Sequence, residues 1–154
     1  RVVRKEWRWN FVGNANGSWH RSSLIDGVDR RGGAEALGGV LVLTHTFDDP
    51  VHGMLLSEYR SVLSRSSFTL APPGVHLDSY RVVEALEAGS IPIVTCDSYF
   101  DHAYSQGHPL PCVEEWEWGA VERAMEEAEG MDGYSCDVQR WFEAFKETTR
   151  ESIH

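Results

Sequence analysis

The stretch from Ser66 to Val94 constrains the fold of this chain more than any other feature. A short β-type run at 68–70 ends in a Pro-Pro-Gly turn, and a segment with helical periodicity then stops at Gly89. A second β-type run, 91–94, follows directly. This order predicts a βαβ unit, in which a crossover helix joins two parallel strands. Ligands of open α/β sheets bind where such strands end and such helices begin, so the loop 72–79 is the first candidate site.

Strands and helices alternate along the rest of the chain as well. Strand-like runs are predicted at 9–12, 40–43 and 110–113, and amphipathic helices around 18–28, 55–63, 120–128 and 138–145. This alternation predicts a three-layer α/β domain with a mostly parallel sheet. A chain of 154 residues is expected to form a single domain spanning 1–154.

Charge and composition exclude several partners. A formal net charge of -10 argues against nucleic acid and against an anionic membrane surface, since either partner requires a basic face. The sequence has no apolar run long enough to span a bilayer and no segment that resembles a signal peptide. Because the chain begins with Arg1 rather than Met, it is expected to be part of a longer protein.

The cysteines leave two alternatives open. Three cysteines allow one disulfide with a free thiol, or no disulfide at all. Cys96 and Cys112 flank a loop that also contains Asp97, Asp101, His102 and His108, but their separations lack the close ligand pairs of structural zinc sites. We therefore expect a polar loop here and no metal. Trp116 and Trp118 could form a sugar-stacking platform, although burial at the domain edge is the plainer interpretation.

The central helix has recognisable ends and one apolar face. Asp78 and Ser79 are good N-cap residues, because their side-chain oxygens can accept hydrogen bonds from free amides of the first turn. Gly89 suits the left-handed position after the helix. The face expected to pack on the sheet is formed by Val82, Val83 and Leu86.

Arg81 and Glu84 fall off that apolar face, near the start of the helix. A helix N-terminus attracts phosphate, Arg81 could add a bidentate contact, and Glu84 could accept hydrogen bonds from sugar hydroxyls. The alternative is an exposed i,i+3 salt bridge worth roughly 0.2–0.5 kcal/mol. Spacing alone favours the salt bridge, because such pairs are common on helices.

A longer pattern runs through this loop and helix. It consists of Asp78, Ser79, Arg81, Glu84-Ala85-Leu86, Gly89 and Ile91-Pro92-Ile93. The pattern resembles the DSxRxxEAL.xGxIPV signature in the C-terminal half of exostosin-like glycosyltransferases, and Phe11-Val12-Gly13 resembles the opening strand of that half. Ser90 and the ending Trp141-Phe142-x-x-Phe145-Lys146 are most similar to ribitol xylosyltransferase-like members of the family.

The resemblance implies a two-domain enzyme of GT-B type, with Rossmann-like halves that face each other across a cleft. This chain would be the C-terminal half, which binds the donor. The enzyme would transfer a sugar, xylose in the most similar members, from a UDP-sugar to a glycan or glycoprotein hydroxyl with inversion. It would act in the Golgi lumen as a type II membrane protein, anchored only through a segment absent from this chain.

The resemblance also assigns the candidate site residues. Glu84 would hold the donor ribose, while Gly74, Ser79 and Arg81 would face the diphosphate, and Asp78 belongs to the same substrate-binding pattern. An arginine and a helix N-terminus can neutralise a leaving diphosphate. The chain lacks an Asp-x-Asp motif, so no metal or other cofactor is expected. The catalytic base is expected from the acceptor-side half, so this chain alone would bind donor without efficient turnover.

Two other functions fit parts of the pattern. A non-catalytic nucleotide- or sugar-binding module would keep the same site and work through a partner. An unrelated Rossmann-like dinucleotide enzyme fits less well, because no G-x-G-x-x-G follows any predicted strand.

Overall fold

The computed structural model describes residues 4–14, 18–44, 56–74, 80–96 and 108–153. Within these ranges the strands are β1 (Trp7–Asn14), β2 (Gly39–Thr44), β3 (Ser66–Leu70), β4 (Ile91–Thr95) and β5 (Cys112–Val113). The helices are α1 (Trp19–Arg30), α2 (Leu56–Ser64), α3 (Tyr80–Glu87), α4 (Trp118–Glu129) and α5 (Tyr134–Ile153), with a 3₁₀ turn at Glu35–Leu37. No helix in the described ranges is both long and apolar enough to cross a membrane.

The strands form one sheet in the order β2-β1-β3-β4-β5, and every adjacent pair is parallel. Helices cover both of its faces, which confirms the predicted three-layer, Rossmann-like α/β fold. The chain leaves β1 for β2 on one side and then returns past β1 to β3 on the other. The strand order therefore reverses between β1 and β3, and in open α/β sheets such a reversal places a ligand-binding crevice at the carboxyl ends of the strands.

Alternate residues of β1 pack into opposite layers of the core, as the two-residue period of a strand requires. Trp9 and Phe11 pack with buried side chains of α1 and α4 on one face, including Leu24 and Met125. Val12 packs against α2 on the other face. A separate cluster under α3 and α5 contains Val82, Leu86, Val138 and Phe142. Trp141 and Phe145, both partly buried, pack against this cluster.

Two local details differ from the sequence predictions, and a third agrees with them. The strand predicted at 110–113 is shorter, since only Cys112–Val113 pairs with β4. In α3, Ala85 is buried instead of Val83, which is 39% exposed. The buried face of α3 thus follows the i, i+3, i+4 pattern of positions 82, 85 and 86, and the assignment of Val83 to this face was wrong. Gly89 has the expected positive φ of 81°.

Both tryptophans near the start of α4 are in the core. Trp116 is fully buried and donates its indole N–H to Thr95 Oγ1 at 3.0 Å. Trp118 is 2% exposed and packs on Trp9 with ring centroids 5.2 Å apart. These two rings therefore do not form a sugar-stacking platform, and burial is the correct interpretation.

A disulfide joins Cys96 to Cys112 and ties the end of β4 to β5. This bond settles the alternatives that the cysteine count left open, and Cys136 is an exposed free thiol. Since the two bonded sulfurs are not thiolates, they cannot act as zinc ligands. Asp97, Asp101 and His102 lie outside the described residues.

Gly39 gives a test of how tightly β1 and β2 pack. A Cβ at this position would lie inside the space of the Trp9 indole, which is fully buried. We expect Gly39→Ala to lower the free energy of unfolding by about 1–3 kcal/mol through overpacking, measured by urea denaturation. Gly130→Ala is the control: its φ of -79° suits alanine, so it should be neutral or slightly stabilising. Equal stability of the two variants would contradict this packing.

The disulfide gives a second test of stability. It closes a loop over a sequence separation of 16 residues. Replacing both bonded cysteines, Cys96→Ser with Cys112→Ser, is expected to lower the free energy of unfolding by about 3 kcal/mol, because the unfolded chain regains loop entropy. Cys136→Ser should leave stability unchanged, since this thiol is exposed. A double variant as stable as the parent would show that the bond does not constrain the unfolded chain.

Candidate functional site

The candidate site lies in the crevice between the carboxyl ends of β1 and β3. Two arginines reach this point, and each comes from the first turn of the helix that follows one of these strands. Arg21 belongs to α1, after β1, and Arg81 belongs to α3, after β3. The two helix N-termini and two cations therefore meet at the place where open α/β sheets bind ligands.

Arg81 leans across the end of β1. Its Nε and Nη2 atoms donate hydrogen bonds to the Val12 carbonyl at 3.2 and 2.7 Å. Its guanidinium carbon lies 5.1 Å from the centroid of the Phe11 ring, within the range of a cation–π contact. Gly13 makes room for this arrangement, since a Cβ there would come within 2.6 Å of Arg81 Nη2. Arg81 is therefore a half-buried group aimed at β1, and the negative charge of Glu84 also acts on it.

Arg21 approaches the same phenylalanine. Its Nη1 donates to the Asn14 carbonyl at 3.0 Å, and its guanidinium carbon is 5.7 Å from the Phe11 ring centroid. Its Nε is buried and has no hydrogen-bond partner among the described residues. Burial, and then the nearby charge of Arg81, lower the pKa of Arg21 to about 10, so the group is still a cation at neutral pH.

Ser18 and Gly74 hold the start of α1 against the loop after β3. Ser18 caps α1 by accepting the Arg21 amide at 3.3 Å, and its hydroxyl donates to the Pro73 carbonyl at 2.6 Å. Gly74 lies beside the Arg21 side chain: a Cβ there would be 2.8 Å from Arg21 Nη2. The predicted site residue Gly74 thus meets an arginine that arrives from another part of the chain.

Glu84 has a fixed orientation at the edge of the crevice. The Tyr59 hydroxyl, from α2, donates to Glu84 Oε1 at 3.0 Å. Burial, and then the negative charge of Glu84, raise the pKa of Tyr59, so its phenol remains a hydrogen-bond donor. The Glu84 side chain is otherwise exposed, which leaves its second oxygen accessible to a ligand.

The structure accordingly brings three of the predicted site residues, Gly74, Arg81 and Glu84, to one edge of the sheet. Asp78 and Ser79 lie outside the described residues. The sequence interpretation missed Arg21 and Tyr59. A signal for Arg21 was present, because position 21 falls on the same helical face as the buried Leu24, Ile25 and Val28. A cation on an apolar helix face needs a specific partner.

The chemistry of this arrangement favours an anion. Two guanidinium groups offer N–H donors in planar, fork-like sets that suit phosphate oxygens. Arg21 has no carboxylate within ion-pair distance in the described part of the chain, so its charge is uncompensated there. Glu84 adds an acceptor for hydroxyl groups at the side of the same crevice. A diphosphate joined to a sugar fits both functions.

Comparisons with known proteins agree with the resemblance in the sequence. A family model described as the RXYLT1 C-terminal domain matches residues 3–153. The Exostosin-1 homolog of Caenorhabditis elegans is 31% identical over 74 residues, which cover 48% of this chain and 17% of that protein. Ribitol-5-phosphate xylosyltransferase 1 of Homo sapiens is 32% identical over 85 residues, 55% of this chain and 19% of that protein. The matched part thus spans less than a fifth of either relative.

Gly74 allows a test of the arginine pair. In Gly74→Ala the new methyl group would displace the end of the flexible Arg21 side chain, so the fold should survive. We expect pyrophosphate affinity, measured by titration calorimetry, to fall about tenfold, the loss of one charge-assisted hydrogen bond. Gly119→Ala is a matched control, because its Cβ would approach a different arginine, Arg123, away from the site. Unchanged affinity in Gly74→Ala would remove Arg21 from the anion site.

Proposed function

Because this chain belongs to the RXYLT1 C-terminal domain family, we propose that it is the donor-binding domain of an inverting glycosyltransferase. In this proposal it binds a UDP-sugar, and the enzyme transfers the sugar to a glycan hydroxyl. The observation that carries the proposal is the pair formed by Arg21 and Arg81. Arg21 lies at the N-terminus of α1 and Arg81 at that of α3, and both guanidinium groups lie over the Phe11 ring. UDP-xylose is the proposed donor, since one relative is named as a xylosyltransferase.

The pair supplies what the leaving group needs. As the bond to the sugar breaks, negative charge grows on the diphosphate, and groups already oriented toward it stabilise the transition state. Main-chain carbonyls fix both guanidinium groups before any ligand arrives, so little reorganisation is required. Arg21 and Arg81 would bind the diphosphate, with Asp78 and Ser79 in the same loop region and Gly74 leaving space for Arg21.

Glu84 would bind the ribose. A carboxylate can accept hydrogen bonds from two neighbouring hydroxyls, and Tyr59 limits Glu84 to one orientation. Tyr59 is in this scheme a positioning residue that does not touch the donor. Along the crevice, the arginines lie at β1 and Glu84 lies toward α2. The diphosphate and the nucleoside of the proposed donor would follow each other in the same order.

The disulfide bears on the cellular compartment in which the enzyme would act. Disulfides persist in secretory compartments and are rare in the cytosol. The Cys96–Cys112 bond therefore fits the proposed Golgi lumen, where the protein would meet its nucleotide-sugar donor and a glycan or glycoprotein acceptor.

Titration calorimetry with three ligands tests the assignment of groups. We expect the parent chain to bind UDP with a Kd between about 1 μM and 1 mM. Arg21→Met is expected to weaken both UDP and pyrophosphate about tenfold or more, since both contain the diphosphate. Glu84→Gln should weaken UDP and uridine but leave pyrophosphate unchanged.

Arg140→Met, at an 80% exposed position of α5, is the matched control and should leave all three affinities unchanged. Thermal unfolding of each variant confirms that it is folded. A folded parent chain that does not bind UDP contradicts the donor-binding proposal. If Glu84→Gln weakened pyrophosphate as much as UDP, the ribose assignment would be wrong.

A further inference from the structure

One aromatic ring lies close to both cations of the crevice. The guanidinium carbons of Arg21 and Arg81 lie 5.7 and 5.1 Å from the centroid of the Phe11 ring, so both are within cation–π range. The other cation–π contact in the described part of the chain, Lys146 over Phe142, involves a single cation. Like charges repel, so two cations at one ring call for an explanation.

The Phe11 ring is held in place by the core. Its side chain is fully buried and belongs to the same cluster as Leu24 and Ile25 of α1. Gly13 lies two positions later on β1, on the same face of the strand, and leaves space beside the ring. A Cβ at this glycine would be 2.9 Å from Phe11 Cζ and 2.6 Å from Arg81 Nη2. The ring is thus a fixed surface, and the long side chains of the two arginines are the groups that can move.

The ring is the contact that the two arginines share. Arg21 donates to the carbonyl of Asn14, whereas Arg81 donates to a different carbonyl, that of Val12. The two charges interact, since burial and then the charge of Arg81 lower the pKa of Arg21. The face of an aromatic ring carries partial negative charge and attracts both cations to the same place. Without this attraction, repulsion would favour conformations in which the two guanidinium groups lie further apart.

We propose that Phe11 is a positioning residue: its π face keeps Arg21 and Arg81 close enough together to bind one diphosphate, and so favours a diphosphate over a single phosphate. The inference deepens the proposed function and rests on it. Phe11 does not touch the ligand, because it is fully buried, and it acts through the two arginines. Both cations must lie at the ring when the diphosphate is bound, whereas in the free protein either one can swing away. Weakening the attraction therefore destabilises the bound state more than the free state, and diphosphate affinity falls.

Fluorinated phenylalanines in place of Phe11 test this role without removing the ring. Fluorine withdraws electron density from the ring face and weakens its attraction for cations, while the side chain keeps nearly the same shape. As one, two and three fluorine atoms are added, the Kd for pyrophosphate, measured by titration calorimetry, is expected to rise stepwise to about tenfold above that of the parent chain. Inorganic phosphate should weaken less, since one guanidinium group is enough to bind it.

A measurement without ligand separates this role from the proposed function. ¹⁵N relaxation of the Nε–H groups of Arg21 and Arg81 reports how far each guanidinium group moves. Order should decrease for both arginines along the fluorine series, because their repulsion is opposed less strongly. A parent chain that binds pyrophosphate but not UDP would contradict donor binding alone. Unchanged arginine order in a chain that binds both ligands would overturn the role of the ring alone, and a chain that binds neither ligand would overturn both.

Phe68 supplies the matched control. It belongs to the same core cluster as Phe11 and is 3% exposed, and no cation of the described residues lies over its ring. The same fluorinated residues at this position should leave pyrophosphate affinity and arginine order unchanged. Thermal unfolding of each variant confirms that it is folded.

The proposal is overturned if pyrophosphate affinity and arginine order stay constant along the Phe11 series, or if the Phe68 series changes them equally. Equal weakening of pyrophosphate and inorganic phosphate overturns the preference for a diphosphate. Phe11→Leu removes the π face and keeps an apolar side chain, so it should weaken pyrophosphate at least as much as three fluorine atoms do. Full affinity in a folded Phe11→Leu chain would contradict the role of the ring.

Discussion

Two guanidinium groups of like charge are held close together at the end of β1, and the candidate site is arranged around this constraint. Burial lowers the pKa of both Arg21 and Arg81, and the charge of Arg81 lowers that of Arg21 further. Both cations also lie at helix N-termini, where the helix dipole disfavours positive charge. Carbonyl groups of β1 and the ring of Phe11 offset part of this cost. A bound anion would offset the repulsion between the two cations and their unfavourable position at the helix N-termini.

The fold is what keeps the two cations in place. β1 is central in this half of the sheet, pairing with β2 and β3, and its carboxyl end remains paired with β2 as far as Asn14. The contact of Ser18 with Pro73 ties the start of α1 to the loop after β3. The absence of a side chain at Gly13 and at Gly74 then leaves space for the two guanidinium groups. Core packing thereby stabilises an arrangement in which electrostatic repulsion alone would push the two cations apart.

The sequence predicted the parts of this structure that depend on local pattern. The βαβ unit and the parallel sheet followed from short apolar runs around a helical period, and Arg81 and Glu84 followed from one continuous motif. Arg21 lies close enough to Arg81, 60 positions away, for the two charges to interact, and Tyr59 donates to Glu84 from 25 positions away. Local spacing does not encode which distant segments become neighbours. Val83 was misassigned because an apolar residue was expected inside, whereas the smaller Ala85 has the buried position. The cysteine count could not choose a pairing, which depends on β4 and β5 being neighbours.

The groups in the crevice are suited to holding charge and are poor candidates for accepting a proton. Arg21 and Arg81 are cations at neutral pH, so neither can act as a general base. Tyr59 retains its proton because burial raises the pKa of its phenol, and that proton is donated to Glu84. Glu84 thus has one oxygen already bound to Tyr59, and its other oxygen is the one proposed to bind the ribose. An inverting transfer needs a base on the opposite side of the sugar. In the proposed function, this crevice would therefore serve departure of the leaving group, and activation of the acceptor hydroxyl would fall to residues outside it.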